Sequence, residues 1–170
     1  MRVIQKALHY AAMKHGEQKY GEQKYGEGVP YMTHIACVVS ILHEYNAPVL
    51  VIAAGALHDV LEDTDTEYAE LAWEFGTHVA NLVEAVTNPK EGTRKEKHAI
   101  QYPKIVEVGT YAIMIKLADR IANVESGGKI DMYRKEHAAF KEALSQPIGF
   151  ASYPVLNMWA NLDELLKDDR

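Results

Sequence analysis

The sequence predicts an all-α fold, and three observations carry the prediction. Apolar residues recur at three- and four-residue spacing along most of the chain, the period of an amphipathic helix. Val and Ile cluster at 49–52 and 105–115, but neither cluster shows the regular alternation of a half-buried strand, and no hairpin turn supports one. The chain has 170 residues, 48% of them hydrophobic, the size of one domain at about 100–200 residues each.

Val3, Ile4, Ala7, Leu8, Ala11 and Ala12 carry the first helix. A second should start near Thr33, as its N-cap, and carry Ile35, Val38, Val39, Ile41 and Leu42. Pro48 suits the first turn of a third, which runs through Val49 to Ala54 and on to about Leu61. That segment is apolar nearly all round, so it is the expected central helix. Thr64-Asp65-Thr66-Glu67 reads as a capping box opening a short helix through Tyr68, Leu71, Ala72 and Phe75. Gly76-Thr77 ends that helix and starts another, through Val79, Leu82, Val83 and Val86. After a polar turn from Asn88 to Gly92, Thr93 caps a basic segment, Arg94 to His98, whose helix Pro103 should interrupt. Tyr111 to Asn123 is helical again, Gly127-Gly128 stops it, and Ile130 to Leu144 and Pro154 to Leu165 close the bundle. Trp73 and Trp159 read as packing residues. Gly16-Glu17-Gln18-Lys19-Tyr20 recurs at once as Gly21-Glu22-Gln23-Lys24-Tyr25. Five residues are too few for a solenoid unit, so this is a surface loop lengthened by duplication.

Composition narrows the function classes. A net charge of −6 works against nucleic-acid binding on a basic surface, yet 18 basic residues suffice for a local phosphate pocket. The lone Cys37 excludes a disulfide framework and favours a reducing compartment. The apolar stretch from Ala47 to Leu57 contains Pro48 and Gly55 and falls short of the roughly 20 residues that span a bilayer. Polar residues within Met1 to Lys6 interrupt any signal-peptide run. The expectation is a cytoplasmic protein acting on neither membrane nor nucleic acid.

The chemistry concentrates in His58-Asp59-Val60-Leu61-Glu62-Asp63-Thr64, at the end of the most apolar helix. Ionisable groups buried there cost several kcal/mol unless they are paired or bind a metal. On one continuous helix His58 would share a face with Glu62, and Asp59 with Asp63. His34, near the start of the preceding helix, can join them. So can Asp119, a polar interruption in Lys116-Leu117-Ala118-Asp119-Arg120-Ile121-Ala122-Asn123. His34, His58, Asp59 and Asp119 offer two nitrogens and two carboxylates, a ligand set typical of Mn²⁺, Fe²⁺ or Zn²⁺ with positions left for water. Glu62 and Asp63, one turn further on, are placed to hold that water and move its proton. Lys19, Lys24, Arg94 and Lys97 are candidates for a substrate's phosphate charge. Asn123 shares a helix face with Asp119 and is read as a substrate contact or a helix-face hydrogen bond. His9, His15, His43, His78 and His98 lie in no motif, and His137 reads as part of a solvated face.

Tyr31-Met32-Thr33-His34, the His58–Thr64 stretch and the Lys116–Asn123 stretch resemble the successive motifs of the HD-domain metal phosphohydrolases. Within them they look like the alarmone hydrolase domain of RelA/SpoT homologues, with Phe75-Gly76 and Val86-Thr87 fitting between. The resemblance runs from about Ala11 to Val124 and more faintly through the helix after Gly128. It implies a helical HD bundle and a Mn²⁺ ion. It also implies hydrolytic removal of the 3′-diphosphate from guanosine tetra- or pentaphosphate, giving GDP or GTP. The organisation expected is one HD-type domain over 1–170, its motif-bearing core at about 11–126 and closing helices at about 129–167. The chain departs from the family at three places: Ile35 follows His34 where Pro is usual, Asn88 follows Val-Thr where Asp is common, and the duplicated block replaces a basic loop. The alternative is an HD phosphohydrolase acting on another nucleotide, an adenosine alarmone or a 5′-nucleotide. A catalytically silent nucleotide-binding module is disfavoured by the presence of Glu62 and Asp63 beside a complete ligand set.

Overall fold

The computed structural model describes residues 2–20, 28–127, 129–145 and 153–167. The helices expected from periodicity are all there. α1 spans Arg2–His15, α2 Met32–Glu44, α3 Val49–Ala56, α4 Val60–Asp63, α5 Tyr68–Phe75 and α6 Thr77–Val86. α7 spans Arg94–Val108, α8 Thr110–Glu125, α9 Ile130–Leu144 and α10 Tyr153–Leu165. The only strands among the described residues are a two-residue antiparallel pair, β1 (Lys19–Tyr20) and β2 (Val29–Pro30), which sequence patterning did not announce.

α3 is the centre, as its all-round apolar character requires: Val51 through Ala56 are buried, and α1, α2, α6 and α8 pack around it. At Gly55 the approach of α2 is so close that a Cβ would lie 2.2 Å from Leu42 Cδ1. α8 is the second core helix, burying Ala112 to Ile115, Leu117, Ala118, Ile121, Ala122 and Val124 against α2, α3 and α10. The chemistry-bearing ends of α2, α3 and α8 therefore sit against one another.

Five local expectations are corrected. The third helix does not run to Leu61. It stops at Ala56, and the chain turns through Leu57, His58 and Asp59 before α4 begins. The cause is local: His58 Nδ1 lies 2.9 Å from the Gly55 carbonyl and occupies an acceptor that a continuing helix would need. His58 and Asp59 therefore sit in a turn, not on a helix face shared with Glu62 and Asp63. The N-cap position of α2 is Tyr31, not Thr33; the Tyr31 carbonyl receives the N–H of His34 at 2.9 Å, and its own N–H is taken by Gln18. Thr64 closes α4 instead of opening α5, its hydroxyl donating to the Val60 carbonyl at 2.6 Å. The capping box forms at Thr93 and Glu96, at the start of α7. Pro103 lies inside α7 without ending it: Pro103 and Ala99, the residue whose carbonyl loses its donor, are both exposed, while the buried Tyr102 and Ile105 anchor the helix. Trp159 is core, but Trp73 is 87% exposed.

Candidate metal centre

Three elements bring together the four residues singled out as ligands. His34 comes from the first turn of α2, His58 and Asp59 from the turn between α3 and α4, and Asp119 from the middle of α8. His34 Nε2 lies 3.4 Å from His58 Nε2 and 3.4 Å from Asp119 Oδ1. His58 Nε2 lies 2.8 Å from Asp59 Oδ2 and 3.8 Å from Asp119 Oδ1. Ligands held about 2.0–2.2 Å from one ion stand about 3–3.6 Å from each other; the two His34 separations fall in that range, and the His58 separations of 2.8 and 3.8 Å lie just to either side of it. His34, His58 and Asp59 each offer a ligand atom within 4.8 Å of the others. The His58 Nδ1 contact to the Gly55 carbonyl turns Nε2 toward the cluster, the ring orientation that a metal-binding imidazole needs.

The electrostatics point the same way. Burial alone would hold His58 neutral, but the Asp59 carboxylate, with Asp119 behind it, outweighs burial and pushes its pKa up to about 9. Burial likewise opposes the charge on Asp59 and Asp119, and the facing cations still hold both below the usual carboxylate range. For Asp119 the leading cation is Lys116, whose Nζ lies 3.1 Å from Oδ2. A nearly buried cluster whose carboxylates stabilise positive charge this strongly suits a divalent ion.

His34, Asp59 and Asp119 of the cluster line a cavity of about 190 Å³, and the buried His58 does not. Glu62 and Asp63 line it too. Glu62 accepts the Asn88 N–H at 3.0 Å and its side-chain amide at 3.1 Å, so the Val86-Thr87-Asn88 stretch serves to hold this carboxylate. Burial raises the Glu62 pKa and the Asp59 charge adds to it, against the Asn88 bonds. Asp63 is exposed and accepts from Gln18 Nε2 at 2.8 Å. Asn123 lines the cavity and donates to the Asp119 carboxylate at 2.6 Å.

Of the three described cations among the four proposed for phosphate, only Arg94 lines this cavity. Its Nε and Nη2 are engaged by Glu136 at 2.7 and 3.0 Å. Lys19 is exposed on β1, Lys97 donates to the Lys90 carbonyl at 3.2 Å, and Lys24 lies outside the described residues. The cavity also recruits Lys116, Arg120, His98, Tyr20, Tyr31 and Tyr133, to which sequence reasoning gave no role. Lys116 and Arg120 were findable, being i and i+4 within the Asp119 motif. His98 and Tyr133 carry no local signal. His137 instead bonds Asp163 at 2.7 Å.

His98 yields a pH prediction. Burial, then the Arg94 charge, pushes its pKa down to about 4. The unfolded chain takes up that proton below about pH 6.5, the folded chain only near 4, so lowering the pH through this window favours unfolding. The Tm should fall between about pH 6.5 and 5, above most carboxylate titration, and His98→Asn should flatten that fall. Equal slopes in the two proteins would contradict it.

Comparison with known proteins agrees with this geometry. The HD domain family profile matches residues 7–144. This chain is an HD-domain protein. The HD-domain chain is 41% identical over 126 residues to a guanosine-3′,5′-bis(diphosphate) 3′-pyrophosphohydrolase of Aquifex aeolicus, covering 72% of itself and 17% of that relative. It is 38% identical over 124 residues to the Danio rerio MESH1 enzyme of the same description, covering 72% of itself and 67% of the relative. It thus spans under a fifth of one curated relative's length and about two-thirds of the other's. Among solved structures, a metazoan orthologue of SpoT described as hydrolysing ppGpp superposes with a TM-score of 0.76 at 26% identity, covering 97% of this chain and 94% of that one. An HD domain implies a divalent ion, and His34, His58 and Asp59 form a cluster that could hold one. Among the described residues, no helix is long and apolar enough to cross a membrane.

Proposed function

We propose that this HD-domain chain is a Mn²⁺-dependent hydrolase that removes the 3′-diphosphate of guanosine tetra- and pentaphosphate. The observation that carries the reading is the convergence of the buried His58 with His34, Asp59 and Asp119, the last three lining a cavity that also holds two further carboxylates and cations. The names of the Aquifex and Danio relatives support the substrate class.

His34, His58, Asp59 and Asp119 would hold the ion, which when bound neutralises phosphate oxygens and acidifies a water. Glu62, its pKa raised by burial, accepts the proton of the attacking water at near-neutral pH. Asp63, exposed at the cavity and steadied by Gln18, orients that water, and Glu62 passes the proton it took to the departing oxygen. Attack falls on the phosphorus joined to the ribose 3′-oxygen, the bond between them breaks with the 3′-oxygen departing and taking up the proton, and pyrophosphate is released as one unit. Arg94 keeps its Nη1 for the distal phosphate while Glu136 fixes the other edge of the fork, and Lys116 adds a point charge. Mn²⁺ is preferred on the family resemblance, and the mixed nitrogen–oxygen donor set accommodates it.

A charge-assisted phosphate contact contributes roughly 1.5–3 kcal/mol, so Arg94→Ala should raise KM about tenfold or more and leave kcat nearly unchanged. An unaltered KM would remove Arg94 from the phosphate site. For the function itself, the chain should be incubated with Mn²⁺ and separately with guanosine tetraphosphate, an adenosine alarmone and 5′-mononucleotides. Preferential consumption of the guanosine alarmone supports the reading; preference for another nucleotide replaces it with the broader HD phosphohydrolase.

A further inference from the structure

The first copy of the duplicated pentapeptide is bonded into the site. We propose that Gln18 and Tyr20 are positioning residues of the metal centre, a task not shared by their sequence twins Gln23 and Tyr25. The proposal deepens the metal-dependent reading above and rests on it.

Backbone hydrogen bonds hold the first copy in place. Gly16, at φ 52°, turns the backbone out of α1, and its N–H bonds the Ala12 carbonyl at 3.1 Å. The Gln18 N–H then bonds the His15 carbonyl at 2.9 Å, and the Gln18 carbonyl accepts the Tyr31 N–H at 2.9 Å. Tyr20 pairs with Val29 in the short ladder. This copy is thereby tied to α1 on one side and to the segment leading into His34 on the other.

Each side chain reaches a different part of the site. Gln18 Nε2 donates to Asp63 Oδ2 at 2.8 Å, and Gln18 Oε1 lies 2.8 Å from His15 Nδ1. An amide oxygen can only accept, so His15 donates, and the direction runs from His15 through Gln18 to Asp63. His15 is buried and stacked on Tyr31 with centroids 4.6 Å apart, so Gln18 links an exposed carboxylate to a fixed point of the fold. The Tyr20 ring lies parallel to His34, with centroids 4.7 Å apart and planes 7° from each other. Its hydroxyl donates to Asn123 Oδ1 at 2.5 Å, and Asn123 Nδ2 passes the restraint to the Asp119 carboxylate at 2.6 Å. One tyrosine thus restrains two candidate ligands, His34 through its face and Asp119 through Asn123. Such outer partners are worth about 10–100-fold in metal affinity or activity.

The duplication provides its own controls. Mn²⁺ titration of the full chain, followed by the electron paramagnetic resonance of the free ion, needs no substrate. Tyr20→Ala should weaken Mn²⁺ binding about tenfold or more, and Tyr25→Ala should leave it unchanged. Tyr20→Phe keeps the stacked ring and loses only the hydroxyl, so it should give a smaller loss that Tyr25→Phe does not; this pair decides the matter if Tyr20→Ala fails to fold. Gln18→Ala should retain Mn²⁺ affinity and lower kcat on guanosine tetraphosphate about tenfold at constant KM, with no effect from Gln23→Ala. Equal losses in the Tyr20 and Tyr25 variants, or no loss until both are changed, would overturn the proposal, because either copy would then serve. Mn²⁺ binding that depends on Tyr20 in a chain inert toward guanosine tetraphosphate would support the Tyr20 assignment and defeat the substrate reading alone.

Discussion

Replacing Asp59 with asparagine should strip the divalent ion from an otherwise folded chain and cut turnover by more than about 100-fold. The substitution keeps size and shape and removes one negative charge from a cluster that depends on it. Asp59 lies 2.8 Å from His58 Nε2, accepts the Tyr31 hydroxyl and, despite burial, is held ionised by the His58 charge. An asparagine can still take the Tyr31 hydrogen bond, but it is a weak ligand for a hard or borderline cation. Asp119→Ala should act alike, since Asp119 faces both imidazoles at 3.4 and 3.8 Å. Metal analysis of the purified variants checks this directly, and full retention of the ion in both would refute the assignment.

The second large effect separates chemistry from metal binding. Glu62→Gln should keep the ion and lower kcat by about 100-fold or more, the usual loss when a general base is removed. Glutamine preserves the length of the side chain and an oxygen for the Asn88 N–H, now at 3.0 Å from Glu62, so the local structure should survive. The pH profile gives an independent check. Burial, with the Asp59 charge, raises the Glu62 pKa above the ordinary glutamate value, so turnover should rise with pH through that elevated pKa. In Glu62→Gln this acid limb should disappear. A variant with normal ion content and unchanged turnover would remove Glu62 from the proton-transfer role.

What the sequence disclosed, and what it did not, follows from the range of the forces involved. Apolar periodicity reports burial, and burial decided the helices; the closing pair at Ile130–Leu144 and Tyr153–Leu165 lies where the spacing put it. The candidate ligands were legible because a charged residue inside an apolar helix needs a reason, and Asp119 within α8 is such a case. The break at Leu57–Asp59 was not legible, because a side chain taking a backbone carbonyl causes it and neither Gly nor Pro marks that spot. The capping boxes misled for a related reason. Thr64-x-x-Glu67 and Thr93-x-x-Glu96 match the same pattern, but the Thr64 hydroxyl donates to the Val60 carbonyl and accepts the N–H of Thr66, while α5 begins only after Glu67. The cavity's remaining lining was hidden because His98 on α7 and Tyr133 on α9 come together only through tertiary packing. Trp73 was misjudged because residue type speaks for burial on average and not at one position.

The measurement that reaches the central claim most directly is the identity of the products. Guanosine tetraphosphate should be incubated with the Mn²⁺-loaded chain and the mixture resolved by anion-exchange chromatography, with pyrophosphate and orthophosphate assayed separately. The predicted result is GDP and pyrophosphate in equal amounts, with no orthophosphate, and loss of both products in Asp59→Asn. Stepwise release of orthophosphate, or consumption of 5′-monophosphates with guanosine tetraphosphate left intact, would contradict the account.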